Sequence, residues 1–346
     1  MTITIKDVAK LANVAPSTVS RVIADHAKIS QSTKERVREA MKELGYHPNF
    51  IARSLANQST QVIGLVLPAS TDIYFQNPFF STVLRGLGEA AHEKCYSIQM
   101  NTGKTDEENL QAVVEMVQGR RVDGIILLYS KIDDPIICYL KERNFPFVII
   151  GKPYDGGEEI THVDNNNFRA AKEATEYLLG KGHQRIGFIG GDPQYVVTLD
   201  RKLGYRKALE EAGVDYSTDM EVESEFLEMG GKQAVAALLQ LVEPPTALIV
   251  TDDLVAMGVL NVLKERHISV PEEMSIVSFN NVLFAELANP PLTSVDIGIY
   301  DLGYQAAKSL IQHIENPKEP KKRIILPFRL VERESCMVCS AEPTMI

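Results

Sequence analysis

No stretch of this 346-residue chain approaches the roughly 20 uninterrupted apolar residues that a membrane-crossing helix needs. The first residues alternate polar and apolar instead of giving a charged and then apolar export signal, so a cytoplasmic location is expected. Cysteine is scarce: Cys95, Cys138, Cys336 and Cys339 are too few and too scattered for a disulfide framework. Cys336-x-x-Cys339 is one pair where structural zinc would need two more ligands nearby, so reduced thiols and no bound metal are expected. Positive charge is also short. Against 46 Asp+Glu stand 36 Lys+Arg, a net of −10 that argues against a uniformly basic nucleic-acid coat. What the chain has in quantity is apolar material, 45% of residues, enough for the cores of two or three domains and too much for a disordered protein.

The signatures of common enzymes are missing. There is no Gly-x-x-x-x-Gly-Lys-Ser/Thr loop, and Gly180-Lys181-Gly182-His183 lacks both its spacing and its hydroxyl. His92-Glu93-Lys94-Cys95 lacks the second His at i+4 of a zinc-protease helix and reads as the polar end of a helix. Asp252-Asp253 and Asp133-Asp134 are adjacent pairs whose side chains point apart, which suits capping, solvation or ligand contact better than an acid–base dyad. Neither an enzyme nor a cofactor is expected.

The charge is unevenly spread. Residues 1–60 hold 9 Lys+Arg and 5 Asp+Glu, a net of +4, and the remaining 286 residues carry −14. In the basic head, Ile5, Val8, Ala9 and Ala12 share one helical face and Val19, Val22 and Ile23 another. Asn13 between them tolerates the left-handed conformation that ends a first helix, and Pro16 suits the first turn of a second. The result is a helix-turn-helix. The outer face of its second helix offers Ser17, Thr18, Ser20 and Arg21, short hydroxyls and a guanidinium able to reach base edges and phosphates; an ordinary helical hairpin with a solvated face is the bland alternative. Ser32-Thr33-Lys34-Glu35 has capping-box spacing, and Val37, Ala40, Met41 and Leu44 form the apolar stripe of a third helix that stops at Gly45.

Beyond it, Pro48 opens a segment too short to be a stable isolated helix, expected to fold only against a partner. The run from Ile5-Lys6-Asp7-Val8-Ala9 through Thr18-Val19-Ser20-Arg21-Val22 to Gly45-Tyr46-x-Pro48-Asn49 and Ala52-Arg53-Ser54-Leu55 resembles the headpiece and hinge of the lactose/galactose repressor family. The resemblance implies paired hinge helices in the minor groove, with Leu55 wedged into a base step; an apolar side chain on such a helix is costly in solvent and useful as an unstacking wedge. Packing of Leu55 back on the body is the alternative. The DNA-contacting positions so implied are Thr4, Pro16, Ser17, Thr18, Ser20, Arg21, Lys28, Thr33, Asn49, Ala52, Leu55 and Ala56.

From residue 62 the period changes. Strand-length apolar runs at 62–67, 98–100, 124–129, 147–150, 185–189, 247–250 and 275–279 alternate with amphipathic stretches at 82–92, 107–118, 168–179, 202–212, 231–241 and 254–265. Ile63-Gly64-Leu65-Val66 is echoed by Ile186-Gly187-Phe188-Ile189, which favours two similar α/β halves with two parallel sheets and a ligand cleft between them. The family resemblance continues through Val122-Asp123-Gly124, Gly182-His183-x-Arg185-Ile186-Gly187, Asp200-Arg201-x-x-Gly204-Tyr205, Pro290-Pro291-Leu292-Thr293 and Leu330-Val331-x-Arg333-x-Ser335. It implies a bilobed fold like that of periplasmic sugar-binding proteins. The expected organisation is a headpiece at 1–47, a hinge helix and linker at 48–61, and an effector-binding and dimerisation domain at 62–346.

Asn77-Pro78-Phe79-Phe80, Gly151-Lys152-Pro153-Tyr154-Asp155, Val163-Asp164-Asn165-Asn166-Asn167 and Val196-Val197-Thr198-x-Asp200-Arg201 resemble the members of that family that repress maltose operons in Gram-positive bacteria. Maltose or a maltodextrin is therefore the expected effector. The family's cleft positions fall on Phe79, Phe80, Tyr195, Val197, Arg201, Phe226, Asp252 and Asn280, aromatic faces for a pyranose beside groups that hydrogen-bond its hydroxyls. Core packing is the alternative for Phe79 and Phe80. Asn280-Asn281 departs from the Asp-Asp often found there, leaving open which hydroxyl is read. The implied protein is a homodimeric repressor on a near-palindromic operator, with no leucine heptads after residue 330 to build a tetramer. Rival readings are a stand-alone sugar-binding protein, and a catabolite regulator whose co-repressor is a phosphocarrier protein bound near 84–92.

Overall fold

Residues 3–23, 26–46, 59–68, 76–101, 103–224 and 228–339 are described by the computed structural model. Asn49, Ala52, Leu55 and Ala56 of the hinge and Phe226 of the cleft set lie outside them.

Three helices form the N-terminal unit: α1 (Ile5–Leu11), α2 (Pro16–Ile23) and α3 (Gln31–Leu44). Thr4 caps α1, with its amide and hydroxyl donating to Asp7 Oδ2 at 2.8 and 2.7 Å. Those bonds hold the Asp7 carboxyl below its usual range. Asn13 takes φ 50° in the turn, as its side chain type allows, and Gly45 closes α3 at φ 62°. Val8, Ala9, Ala12, Val19, Val22, Val37 and Ala40 make the small core. One boundary differs from expectation. The cap of α3 is Ser30, whose Oγ accepts from the Thr33 amide at 3.4 Å, and not Ser32. Glu35, the partner that a box at Ser32 needs, instead accepts from Gln31 Nε2 one turn back, at 3.2 Å.

The body has two six-stranded sheets. The first, in order β11-β5-β4-β3-β1-β2, joins β1 (Val62–Val66), β2 (Ser97–Met100), β3 (Gly124–Leu127), β4 (Phe147–Ile150), β5 (His162–Asn165) and β11 (Arg323–Leu326), all parallel. The second, in order β12-β10-β9-β8-β6-β7, joins β6 (Ile186–Gly190), β7 (Glu221–Glu223), β8 (Ala247–Val250), β9 (Ser275–Phe279), β10 (Thr293–Asp296) and β12 (Arg329–Val331). Its pairs are parallel except β12 against β10, so an antiparallel edge modifies the expected all-parallel sheet. The central strands β1, β3, β4, β6, β8 and β9 are buried along their whole length, which is why they read as continuous apolar runs.

Helices cover these sheets: α4 (Pro78–Glu93), α5 (Asp106–Gln118), α6 (Pro135–Glu142), α7 (Asn167–Gly180), α8 (Val196–Glu211), α9 (Glu228–Leu238), α10 (Asp253–Glu265), α11 (Leu283–Leu287) and α12 (Ile299–Glu315). The glycines of α4 and α12 set their distance. A Cβ on Gly86 would lie 2.1 Å from the Tyr300 carbonyl oxygen, and one on Gly303 2.2 Å from that of Val83.

The chain passes between the lobes three times, after β5, after β10 and after β11. One side chain joins all three passages. Asn165, at the end of β5, donates through Nδ2 to the carbonyls of Ile297 at 2.9 Å, Leu326 at 3.3 Å and Pro327 at 3.4 Å.

Candidate functional site

In a parallel α/β sheet the C-terminal strand ends and the helix starts that follow them face the same way, and ligands bind there. Both lobes turn these ends toward the seam. The first lobe contributes Asn77 and Phe79 at the start of α4, Leu128–Ser130 after β3, Gly151 after β4, and Asp164 and Asn165 at the end of β5. The second contributes Tyr195 and Val197 at the start of α8, Arg201 within it, Thr251 and Asp252 after β8, and Asn280 after β9.

Seven of the eight expected cleft residues therefore line one cavity: Phe79, Phe80, Tyr195, Val197, Arg201, Asp252 and Asn280. Phe80, 7% exposed, also belongs to the core, so packing and lining are both true of it. Phe79 and Phe80 meet edge to face at 5.1 Å, and Tyr195 meets Tyr129 of the opposite lobe in the same way at 6.1 Å.

Polar groups form the cavity's other side. Asp252 caps α10, its Oδ1 accepting from the Leu254 amide at 2.8 Å and the Val255 amide at 3.3 Å. Its Oδ2 accepts from Asn77 Nδ2 across the seam and from Asn280 Nδ2, both at 2.8 Å. Asn280 thus donates where an aspartate would set two carboxylates together. Asn281 turns elsewhere, its Oδ1 accepting from Arg333 at 2.7 Å. Asp253 points away from the cleft and accepts from Ser278 at 2.5 Å, Ser294 at 2.8 Å and the Val282 amide at 2.8 Å, as expected of adjacent residues with divergent side chains.

Arg201 is the cation of the floor. Its Nε donates to Asn167 Oδ1 at 3.0 Å, its Nη1 to the Thr251 carbonyl at 2.7 Å, and it lies 4.3 Å from the Phe279 ring centre. Burial lowers its pKa to about 10, opposed by Asp252, Asp164 and Asp253. Asn167 in turn donates to Asp164 Oδ1 at 2.9 Å. Burial raises the Asp164 carboxyl to about 7; Asp200 adds to the rise, while the Asn165 amide, Arg201 and Lys152 oppose it. Burial also raises Asp252. Asp164, Asn165, Asn167 and Tyr129 were not among the expected contacts. The motif containing Asp164, Asn165 and Asn167 was visible, but nothing in its spacing shows that these side chains turn into a cleft.

Three further links cross the seam. Lys152 Nζ lies 3.3 Å from Asp200 Oδ1. Lys131 binds Asp106 at 2.8 Å while lying 5.2 Å from the Tyr195 ring centre. Between them runs a short backbone ladder, with Val196 N to Ser130 O at 3.1 Å and Ile132 N to Gln194 O at 3.0 Å.

In the headpiece, Pro16, Ser17, Ser20 and Arg21 on α2 are exposed, as is Lys28, and Thr18 is half-buried. Thr4 and Thr33 are engaged locally, Thr4 with Asp7 and Thr33 Oγ1 with Ser30 Oγ at 2.9 Å. On the first lobe's outer face around 84–92, Tyr300 donates to Glu89 at 2.6 Å and Tyr304 to Glu93 at 3.0 Å.

Comparison with known proteins gives this geometry its relatives. Residues 4–49 match the lacI family of bacterial regulatory proteins, and residues 175–336 match a periplasmic binding protein-like domain. The chain is 43% identical over 340 residues to the HTH-type transcriptional regulator MalR of Streptococcus pneumoniae, across 96% of this chain and 100% of that protein. The chain belongs to the lacI family of bacterial regulatory proteins. Two solved structures of the family cover nearly all of it. A CelR–cellobiose complex aligns at TM-score 0.76 with 32% identity, over 96% of this chain and 99% of that one. A lac repressor dimer bound to operator and the anti-inducer ONPF aligns at TM-score 0.83 with 25% identity, over 97% and 100%. The lacI-family headpiece and body identify a DNA-binding transcriptional regulator and not an enzyme. No helix among the described residues is long and apolar enough to cross a membrane.

Proposed function

We propose that this lacI-family regulator is a homodimeric repressor whose effector, maltose or a maltodextrin, binds between the lobes and lowers its affinity for a near-palindromic operator. The observation that carries the reading is the cavity itself: aromatic and apolar Phe79, Phe80, Tyr195 and Val197 oppose Arg201, Asp252 and Asn280 across a seam between two lobes. That composition suits a pyranose, which has an apolar face and a rim of hydroxyls. Kinship with MalR favours maltose, and the cellobiose bound to CelR makes that β-linked disaccharide the direct competitor.

On DNA, residues 1–47 serve as headpiece and 48–61 as hinge and linker. Ser17, Thr18, Ser20 and Arg21 read base edges or phosphates in the major groove, while Thr4, Pro16, Lys28 and Thr33 fix the headpiece on the backbone. Asn49, Ala52, Leu55 and Ala56 enter the minor groove, with Leu55 as the wedge. The body, residues 62–346, dimerises as lac repressor does. Helix α11 suits that contact, since Leu283 is 64% and Leu287 68% exposed.

Sugar bridging Phe79 on one lobe and Arg201 on the other favours one setting of the three passages, and the hinge segments follow that setting. Linkage then requires that operator weaken sugar binding by the same factor. Calorimetric titration of the full chain with maltose and with cellobiose tests the effector. Heat and a thermal shift with maltose are expected; a response to cellobiose alone overturns the maltose reading.

A further inference from the structure

We propose that closure of the two lobes takes up a proton from solvent at Asp164, so that closure and effector binding are both favoured as pH falls through the neutral range. The inference rests on the cleft being the effector site described above, and extends it to a second, ionic input.

The geometry is a shortage of cations in the closed seam. Asp164 is 5% exposed at the end of β5, where Asn167 donates to its Oδ1 at 2.9 Å. Lys152, the cation on its own lobe, lies 3.3 Å from Asp200 of the other lobe. Arg201 is held by Asn167 and the Thr251 carbonyl and also serves Asp252 and Asp253. Two cations therefore face three carboxylates at the seam, Asp164, Asp200 and Asp252. The remaining titratable group on the strand of Asp164 is His162, whose burial lowers its pKa and keeps it neutral near pH 7. It does not relieve the deficit.

Asp200 and Arg201 both ride on α8, in the lobe opposite Asp164. When the lobes part, Asp164 is hydrated and leaves both the negative charge of Asp200 and the opposing charge of Arg201, keeps Lys152 on its own lobe, and returns toward an ordinary carboxylate of pKa about 3.9. In the closed seam its pKa is about 7, set first by burial and then by Asp200. The group binds a proton more strongly closed than open. Lower pH therefore favours closure, with the proton going from water to the Asp164 carboxylate. The linked change in effector affinity between pH 8 and pH 6 is about tenfold.

The sequence contains no tryptophan, so Gln194→Trp at the exposed mouth of the seam reports closure by fluorescence in the full chain. The expected result without sugar is a fluorescence titration with a midpoint near 7 that Asp164→Asn abolishes. Asp200→Asn, which removes a like charge and frees Lys152, should move the midpoint downward. A titration unchanged by both substitutions, or a flat one, overturns the proposal. Maltose titrations at pH 6 and 8, in buffers of small and large ionisation heat, give the second reading. Tighter binding at pH 6 with proton uptake supports the proposal, and pH-independent binding overturns it. A tryptophan titration lost in Asp164→Asn, with no maltose heat at either pH, retains the proton link and rejects maltose as effector.

Discussion

Asn77 and Asp252 cap helices in different lobes and hydrogen-bond each other, Asn77 Nδ2 donating to Asp252 Oδ2 at 2.8 Å. Each still caps its own helix, Asn77 through its amide oxygen and Asp252 through Oδ1, so the contact links two helix starts directly across the cavity. Asn280 donates to the same carboxylate oxygen, which makes the amide at 280 part of the seam's charge balance.

Asn280→Asp would place a second carboxylate against Asp252 and should weaken effector binding by about 1–3 kcal/mol, or roughly five- to 150-fold. Adding Asp252→Asn should restore most of the loss, because one acid and one amide again share the contact. Calorimetry on the double-mutant cycle checks this; additive losses would show that the two side chains act separately.

Asn165→Ala removes the amide that ties the Ile297, Leu326 and Pro327 carbonyls together at the passages between lobes. Leaving the buried Ile297 carbonyl without this donor should cost about 1–3 kcal/mol. Thermal unfolding should shift down by several degrees. An unchanged midpoint would mean that water replaces the amide at no cost.

His183 fastens the C-terminal segment: its ring nitrogens lie 3.0 Å from Thr246 Oγ1, 3.0 Å from Ser275 Oγ and 3.2 Å from the Met337 carbonyl. Burial lowers its pKa from 6.5, so below that value the unfolded chain takes a proton that the folded chain resists. Stability from this site is present above about pH 6.5 and declines as pH falls below it. Asp164 and Asp253, raised to about 7, act in the opposite sense, so the test compares His183→Gln with the native chain at each pH. The stability gap between the two should narrow from pH 7 to pH 5.

Arg21→Ala should relax discrimination at one base position in each operator half-site by about 1–3 kcal/mol. Competition binding over single-base operator variants measures it. Uniform weakening across all sequences would make Arg21 a phosphate contact. The net +4 of residues 1–60, doubled in a dimer, fits a log–log salt dependence of about −5 to −9 if 6–10 phosphates are neutralised.

The headpiece was almost wholly legible because its signals are local: apolar spacing places Val8, Val19 and Val37, and single residue types place Asn13 and Gly45. Buried central strands were legible as apolar runs. Strand β5 was not, because His162-Val163-Asp164-Asn165 is a polar strand whose burial comes from the seam and the passages. The edge strands β7, β11 and β12 are short and partly exposed, with little apolar signal. Helix α8 starts at Val196, ahead of the stretch beginning at Lys202, because its first turn faces the cavity and breaks the amphipathic pattern. Seven of the cleft positions implied by the family line one cavity, while Asp164 and Asn167 emerge only when Arg201 is seen between the lobes.

Control of DNA binding by a sugar in this cleft is the expected switch. Its most direct measurement is the affinity of the full chain for its operator, with and without saturating maltose, for the native protein and for Arg201→Ala. The expected result is a maltose-dependent loss of operator affinity of about 5- to 150-fold in the native protein, absent in Arg201→Ala. An operator affinity that maltose leaves unchanged, with release by a different sugar, would contradict the maltose assignment; release by no sugar would contradict the cleft as the control site.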